Sequence, residues 1–197
     1  MQNKKALLLF TKNPELGKCK TRLAKTIGDV KALEIYIKLL EHTREIVIPV
    51  DVDKFVFYSE NIEREDDWDN AVFQKRVQNG DDLGQKMQNA FRELFQLKYD
   101  SVCIIGSDCY ELNSETINQS FIELESKDVV IGPTNDGGYY LLGMKKLHAA
   151  LFENKNWSTE TVYSDTIADF EQFGLSYSNL VKLTDIDEEK DVPKHWR

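Results

Sequence analysis

Cysteine is scarce in this 197-residue sequence: Cys19, Cys103 and Cys109 are the only three, and none is spaced as Cys-x-x-Cys. An odd, small number excludes a disulfide framework and gives no zinc signal. It points to a reducing compartment, and a cytoplasmic location is expected. Long apolar runs are missing too. The chain opens with only a five-residue run, Ala6–Phe10, before Lys12. That is too short for the core of a signal peptide or for a membrane span. Nor is there an excess of positive charge: the formal net charge is -9, which argues against duplex nucleic acid as a partner. Internal repeats, low-complexity stretches and linkers are absent as well. What remains, 41% hydrophobic and 30% charged residues, describes an ordinary globular protein. The length suits a single domain over 1–197 with a sizeable core.

The hydrophobic pattern alternates between two periods. Ala6–Phe10, Phe55–Tyr58, Val72–Val77, Val102–Ile105, Val129–Ile131 and Tyr139–Met144 read as strands. Between them, Val30, Leu33, Ile37, Leu40, Arg44 and Val47 follow helical spacing, and Met87, Ala90, Phe91, Leu94 and Phe95 form a clear apolar stripe. Further helices are expected from about Ser114 to Glu125 and from Glu160 to Phe173. In the second, Val162, Thr166, Ile167, Phe170 and Phe173 share a face. Strands alternating with helices through short connections predict a mostly parallel sheet flanked by helices.

Ligands of such sheets collect just beyond the carboxyl ends of the strands, and two features fall there. The run Ile104-Ile105 ends in Gly106-Ser107-Asp108. A carboxylate delivered by a buried strand can hold a divalent cation against phosphate oxygens, although Asp is also a preferred helix N-cap. The first strand runs into a segment, Lys12 to Lys25, with five Lys or Arg and one acid. A positive loop in an acidic protein suggests phosphate binding, although a charge run is also ordinary solvated surface, and Pro14 and Gly17 break regular structure there. It is not a Walker A loop, because Lys12 and Cys19 stand where that motif needs Gly and Ser or Thr.

Several blocks of the sequence resemble a bacterial family of small glycosyltransferase-like proteins, nucleotide-diphospho-sugar transferases of which some are assigned to arsenosugar biosynthesis. The first is Leu9-Phe10-Thr11-Lys12-Asn13-Pro14, continuing through Gly17-Lys18-Cys19-Lys20-Thr21-Arg22-Leu23. The others are Gly80-Asp81-Asp82-Leu83-Gly84, Gly106-Ser107-Asp108-Cys109, Asp136-Gly137-Gly138-Tyr139-Tyr140, Trp157-Ser158-Thr159 and Asp185-Ile186-Asp187. The chain departs from the family pattern at Tyr110, where Pro is usual, at Lys86, where Arg is common, and in the additional Asp82. The resemblance implies a GT-A-like or nucleotidyltransferase-like α/β fold, a three-layer sandwich around a mostly parallel mixed sheet.

It also implies roles. Lys12, Lys20 and Arg22 would neutralise nucleotide phosphates, and Gly80 and Gly84 would let backbone approach base and ribose. Asp108 would hold Mg²⁺ or Mn²⁺ with Asp187 as second ligand, Asp185 being the weaker candidate. The Asp185–Asp187 pair also suits a helix N-terminus. Asp136 would position an acceptor hydroxyl or act as base. Gly137 and Gly138 read as a tight hairpin turn, a reading compatible with contact to a substrate. Trp157 is an apolar wall or a packed core residue, with Ser158 and Thr159 as polar contacts. The expected activity is metal-dependent glycosyl transfer from a nucleoside diphosphate sugar to a small-molecule acceptor. Nucleotidyl transfer from a triphosphate and nucleotide binding without turnover are the alternatives.

Overall fold

Ala6, Leu7, Leu8 and Leu9 are all fully buried, as consecutive residues must be in a strand covered on both faces. A computed structural model describes residues 3–197. Its strands are β1 (Lys5–Thr11), β2 (Asp53–Tyr58), β3 (Phe73–Val77), β4 (Ser101–Ile105), β5 (Val129–Pro133), β6 (Tyr139–Met144) and β7 (Tyr177–Asn179). Its helices are α1 (Thr21–Ile27), α2 (Asp29–Val47), α3 (Leu83–Gln96), α4 (Ser114–Ser126) and α5 (Val162–Gln172). One sheet runs in the order β3-β2-β1-β4-β6-β5-β7. Only β6 runs against the others, pairing antiparallel with β4 and β5. The carboxyl ends of β1, β2, β4 and β5 therefore share one edge.

Alternate side chains of β1 enter two different cores. Leu7 and Leu9 pack with Val47 of α2 and with Ile117, Phe121 and Leu124 of α4. Ala6 and Leu8 pack with Met87, Ala90, Phe91 and Leu94 of α3 and with Phe170 of α5. The result is the expected three-layer sandwich. A third, smaller cluster joins Leu23 of α1 and Ile35 and Leu39 of α2 to Ile186 and Val192 near the C-terminus.

Three expectations are corrected at this level. Helix α2 forms as predicted, but it buries Ala32, Ile35, Tyr36, Leu39 and Thr43, whereas Val30 and Ile37 face solvent at 63% and 49% exposure. The inward face carries a phenol and a hydroxyl that find partners: Tyr36 OH donates to Lys12 O, and Thr43 Oγ1 donates to Leu39 O. Phe173 lies just past α5 and is exposed rather than on the buried face of Val162, Thr166 and Phe170. Asp108 caps no helix. Asn113 caps α4, its Oδ1 accepting from Thr116 N at 2.8 Å. The additional Asp82 caps α3 through Gln85 N, also at 2.8 Å.

Candidate active site

The loop after β1 is held by side chains from two directions. Tyr36 OH accepts from Lys12 N at 2.7 Å and lies 3.3 Å from Ser107 Oγ, so α2 ties the loops after β1 and β4 together. Burial, with Asp108 nearby, pushes the Tyr36 phenol well above its usual range, so it stays protonated. Asn13 is buried and links the same loop to the segment after β2. Its Nδ2 donates to Asn61 O and Glu63 Oε1, and its Oδ1 accepts from Glu60 N. Lys12 itself is exposed, and with Asn13, Lys18, Ser59 and Glu60 it lines an open cleft of about 350 Å³. Gln78, after β3, closes the edge by donating to the carbonyls of Thr11 and Phe57. Sequence reasoning assigned no role to Asn13, Tyr36 or Gln78. Only the Asn-Pro step at 13–14 offered a local signal.

At the centre of the edge, cations and carboxylates alternate. Lys20 Nζ lies 2.7 Å from Asp108 Oδ1 and 3.5 Å from Asp187 Oδ1, and Arg22 lies 3.3 Å from Asp187 Oδ2. The Lys20 side chain is only 4% exposed. Burial alone would lower its pKa, but Asp108 and Asp187 outweigh it and hold the ammonium above its usual value. Lys20 adopts the left-handed conformation, φ 49° and ψ 45°, which costs a non-glycine residue about 1–3 kcal/mol.

Asp185 and Asp187 reach this edge because Leu180–Leu183 rejoins the sheet. Leu180 N donates to Ile131 O, Leu183 N donates to Pro133 O, and Thr134 bridges Leu183. Ile186 turns inward, 2% exposed, and its N–H donates to Asp108 O at 2.9 Å. Asp185 Oδ1 is buried without a hydrogen-bond partner. Burial, then the charge of Asp108, pushes Asp185 up to about 7, against the pull of Lys20. Asp187 starts no helix: Glu188 caps a single 3₁₀ turn, Glu189–Asp191.

Beside this cluster lies an open cleft of about 180 Å³ lined by Arg22, Asn135, Asp136, Thr184, Asp185 and Asp187. Asp136 sits in the β5–β6 hairpin turn, its Oδ1 accepting from Thr134 Oγ1 at 2.5 Å and Gly138 N at 3.1 Å. Gly137, in the same turn, has φ 90°, and a β-carbon there would lie 2.0 Å from Glu160 O. At Gly84 the close approach is to protein: a β-carbon would meet Trp157 Nε1 at 2.3 Å. Trp157 is half-buried and packs there against the α3 core. Gly80, with φ 143°, is tight against Gln85 and Lys86. Ser158 and Thr159 are exposed, and Thr159 Oγ1 donates to Asn156 O. The structure thus gathers Lys20, Arg22, Asp108, Asp136, Asp185 and Asp187, and leaves Gly84 and Trp157 in a supporting contact.

Among the described residues, no three His, Cys, Asp or Glu side chains converge as a ready cage for a metal. The residues present still suit Mg²⁺ or Mn²⁺. Such ions take one or two carboxylates and complete their shell with water and phosphate oxygens, and Asp108 and Asp187 stand on either side of one ammonium, with an unpartnered Asp185 oxygen buried nearby.

The mixed seven-stranded sheet flanked by helices is a fold found in solved nucleotide-sugar and nucleotidyl transferase structures. The chain is similar to a protein of Desulfovibrio desulfuricans G20 assigned as a nucleotide-diphospho-sugar transferase, with a TM-score of 0.87 and 28% identity over 95% of this chain and 84% of that one. A 4-diphosphocytidyl-2C-methyl-D-erythritol synthase shares the fold at a TM-score of 0.60 and 12% identity, covering 97% of this chain and 95% of that one. The inositol-1-phosphate CTP transferase of T. maritima does so at 0.57 and 14%, covering 98% and 93%. No curated protein matches the sequence significantly. The chain belongs to the family described as "Uncharacterized protein conserved in bacteria (DUF2064)", matched over residues 43–159.

Proposed function

We propose that the protein transfers a glycosyl group from a nucleoside diphosphate sugar to a small acceptor, with Mg²⁺ or Mn²⁺. The observation that carries this reading is the alternation of Lys20, Arg22, Asp108 and Asp187 at the strand edge beside an open cleft. Glycosyl transfer builds negative charge on the departing diphosphate. Lys20 and Arg22, with Lys12 in the neighbouring cleft, supply positive charge where it develops. A divalent ion held by Asp108 and Asp187 would act as a Lewis acid on the same oxygens. Asp136 faces the cleft, where its carboxylate can orient an acceptor hydroxyl and take its proton.

Nucleotidyl transfer is the second reading, favoured by the fold shared with cytidylyl transferases. Where its acceptor is a phosphate, it needs positive charge in the acceptor cleft. Here the acids Asp136, Asp185, Asp187, Glu188 and Asp191 outnumber the cations Arg22 and Lys190 along that cleft, and both cations are paired, with Asp187 and Glu188, which suits a hydroxyl acceptor better. Thermal-shift measurements with nucleoside diphosphates and triphosphates, with and without Mn²⁺, separate the readings. Stabilisation by a diphosphate and Mn²⁺, with release of nucleoside diphosphate from a nucleotide sugar, is the expected result. Preference for a triphosphate with pyrophosphate release assigns nucleotidyl transfer, and binding without either product assigns a non-catalytic protein.

A further inference from the structure

We infer that Lys20 and the divalent ion compete for the same carboxylate oxygens, so that the metal binds tightly only when a diphosphate draws Lys20 away. This rests on the metal and diphosphate site proposed above and adds its order of assembly. At the strand edge Lys20 and Arg22 are held in direct ion pairs with Asp108 and Asp187. The Lys20 ammonium touches Asp108 Oδ1 at 2.7 Å and Asp187 Oδ1 at 3.5 Å. A metal ion needs those lone pairs at about 2.0–2.6 Å. Without the ammonium's departure it would also meet a fixed positive charge.

Three features place Lys20 to change partners. Its Nζ is already shared between two carboxylates, 2.7 Å from Asp108 Oδ1 and 3.5 Å from Asp187 Oδ1. An ammonium on a flexible four-carbon stem reorients without backbone movement. The left-handed backbone at Lys20, φ 49°, fixes the root of that stem at the start of α1, beside the loop that lines the cleft of Lys12 and Lys18. A diphosphate arriving there offers the ammonium new oxygens and leaves Asp108 and Asp187 open to the metal. By linkage the metal strengthens diphosphate binding by the same factor. Free metal ions then leave the empty site largely alone.

The test measures Mn²⁺ binding by loss of the free-ion electron paramagnetic resonance signal, in the full chain, with and without inorganic pyrophosphate and corrected for the Mn²⁺–pyrophosphate complex. Wild type should bind Mn²⁺ weakly alone and about tenfold or more tightly with pyrophosphate. Lys20→Met should bind Mn²⁺ alone about tenfold more tightly than wild type and keep only the smaller pyrophosphate effect that direct metal–phosphate coordination supplies. Lys20→Gly, whose backbone accepts the left-handed conformation, should do the same and guards against misfolding of the first variant. Adding Asp108→Asn should abolish the gain. If both folded Lys20 variants bind Mn²⁺ no more tightly than wild type, the competition is wrong, and the proposed function survives wherever wild type still binds Mn²⁺ and a nucleoside diphosphate together. If the variants gain Mn²⁺ affinity while no nucleoside diphosphate or triphosphate binds any form, the competition stands and the proposed function falls.

Discussion

A β-carbon at Gly84 would lie 2.3 Å from Trp157 Nε1 and 2.7 Å from Phe152 O, closer than any real contact. Gly84→Ala should therefore push the 152–157 segment off α3 and cost about 1–3 kcal/mol. A lower denaturant midpoint with altered tryptophan emission would show it; an unchanged midpoint would mean that the segment yields freely. At the opposite end of the sheet, His148 Nε2 is buried without a partner. Burial, then the charge of Lys146, lowers its pKa. A histidine with a depressed folded pKa is stabilising in its neutral form, so its contribution is present above the unfolded value near 6.5 and is lost as pH falls below it. The stability of His148→Gln should accordingly depend less on pH between about 7 and 5 than that of wild type. Parallel pH profiles of the two proteins would contradict this.

Among the elements, α2 separates what a pattern reveals from what it hides. Its existence follows from apolar spacing, but Tyr36 and Thr43 are polar by type and buried in fact, so the inward face is read about one position out of phase. Burial becomes affordable only through the tertiary partners Lys12 and Ser107 and the local carbonyl of Leu39, which no helical period reports. Ile37→Lys should stay within about 0.5 kcal/mol of wild type, whereas Leu39→Ala should cost about 2–5 kcal/mol. Urea melts giving the reverse ranking would restore the face suggested by periodicity. Strands β5 and β6 were legible because both are buried and bounded by Pro133 and the Asp136-Gly137-Gly138 turn. The same was true of α3, with its Met87, Ala90, Phe91 and Leu94 stripe.

At the scale of the whole molecule, a formal charge of -9 repels an anionic ligand except where the Lys12–Lys25 segment reverses the field locally. Arg22 is the most exposed member of the central cluster, its side chain 63% exposed against 45% for Asp108. Arg22→Ala should weaken Mn²⁺-dependent pyrophosphate binding about two- to fivefold at low salt. The difference should shrink once added salt brings screening below the roughly 8 Å of physiological conditions. Calorimetry at two ionic strengths checks both parts. The convergence of residues 20, 108 and 187 was visible in the sequence only through family resemblance. Nothing local specifies that Leu183 bridges Thr134 or that Ile186 N–H meets Asp108 O, since long-range backbone pairing leaves no periodic trace.

That the lone reversed strand is β6 has a kinetic consequence. Among the described residues, β5–β6 is the sheet pairing closed by a short turn, Thr134–Gly138. Every other pairing spans a longer stretch of chain. Its closure entropy is correspondingly small, and hairpins of this kind form in about 1–10 μs. The loop bearing Asp136 thus takes shape among the earliest events of folding. The Lys20–Asp108–Asp187 meeting waits for the slow, non-local docking of the last segment.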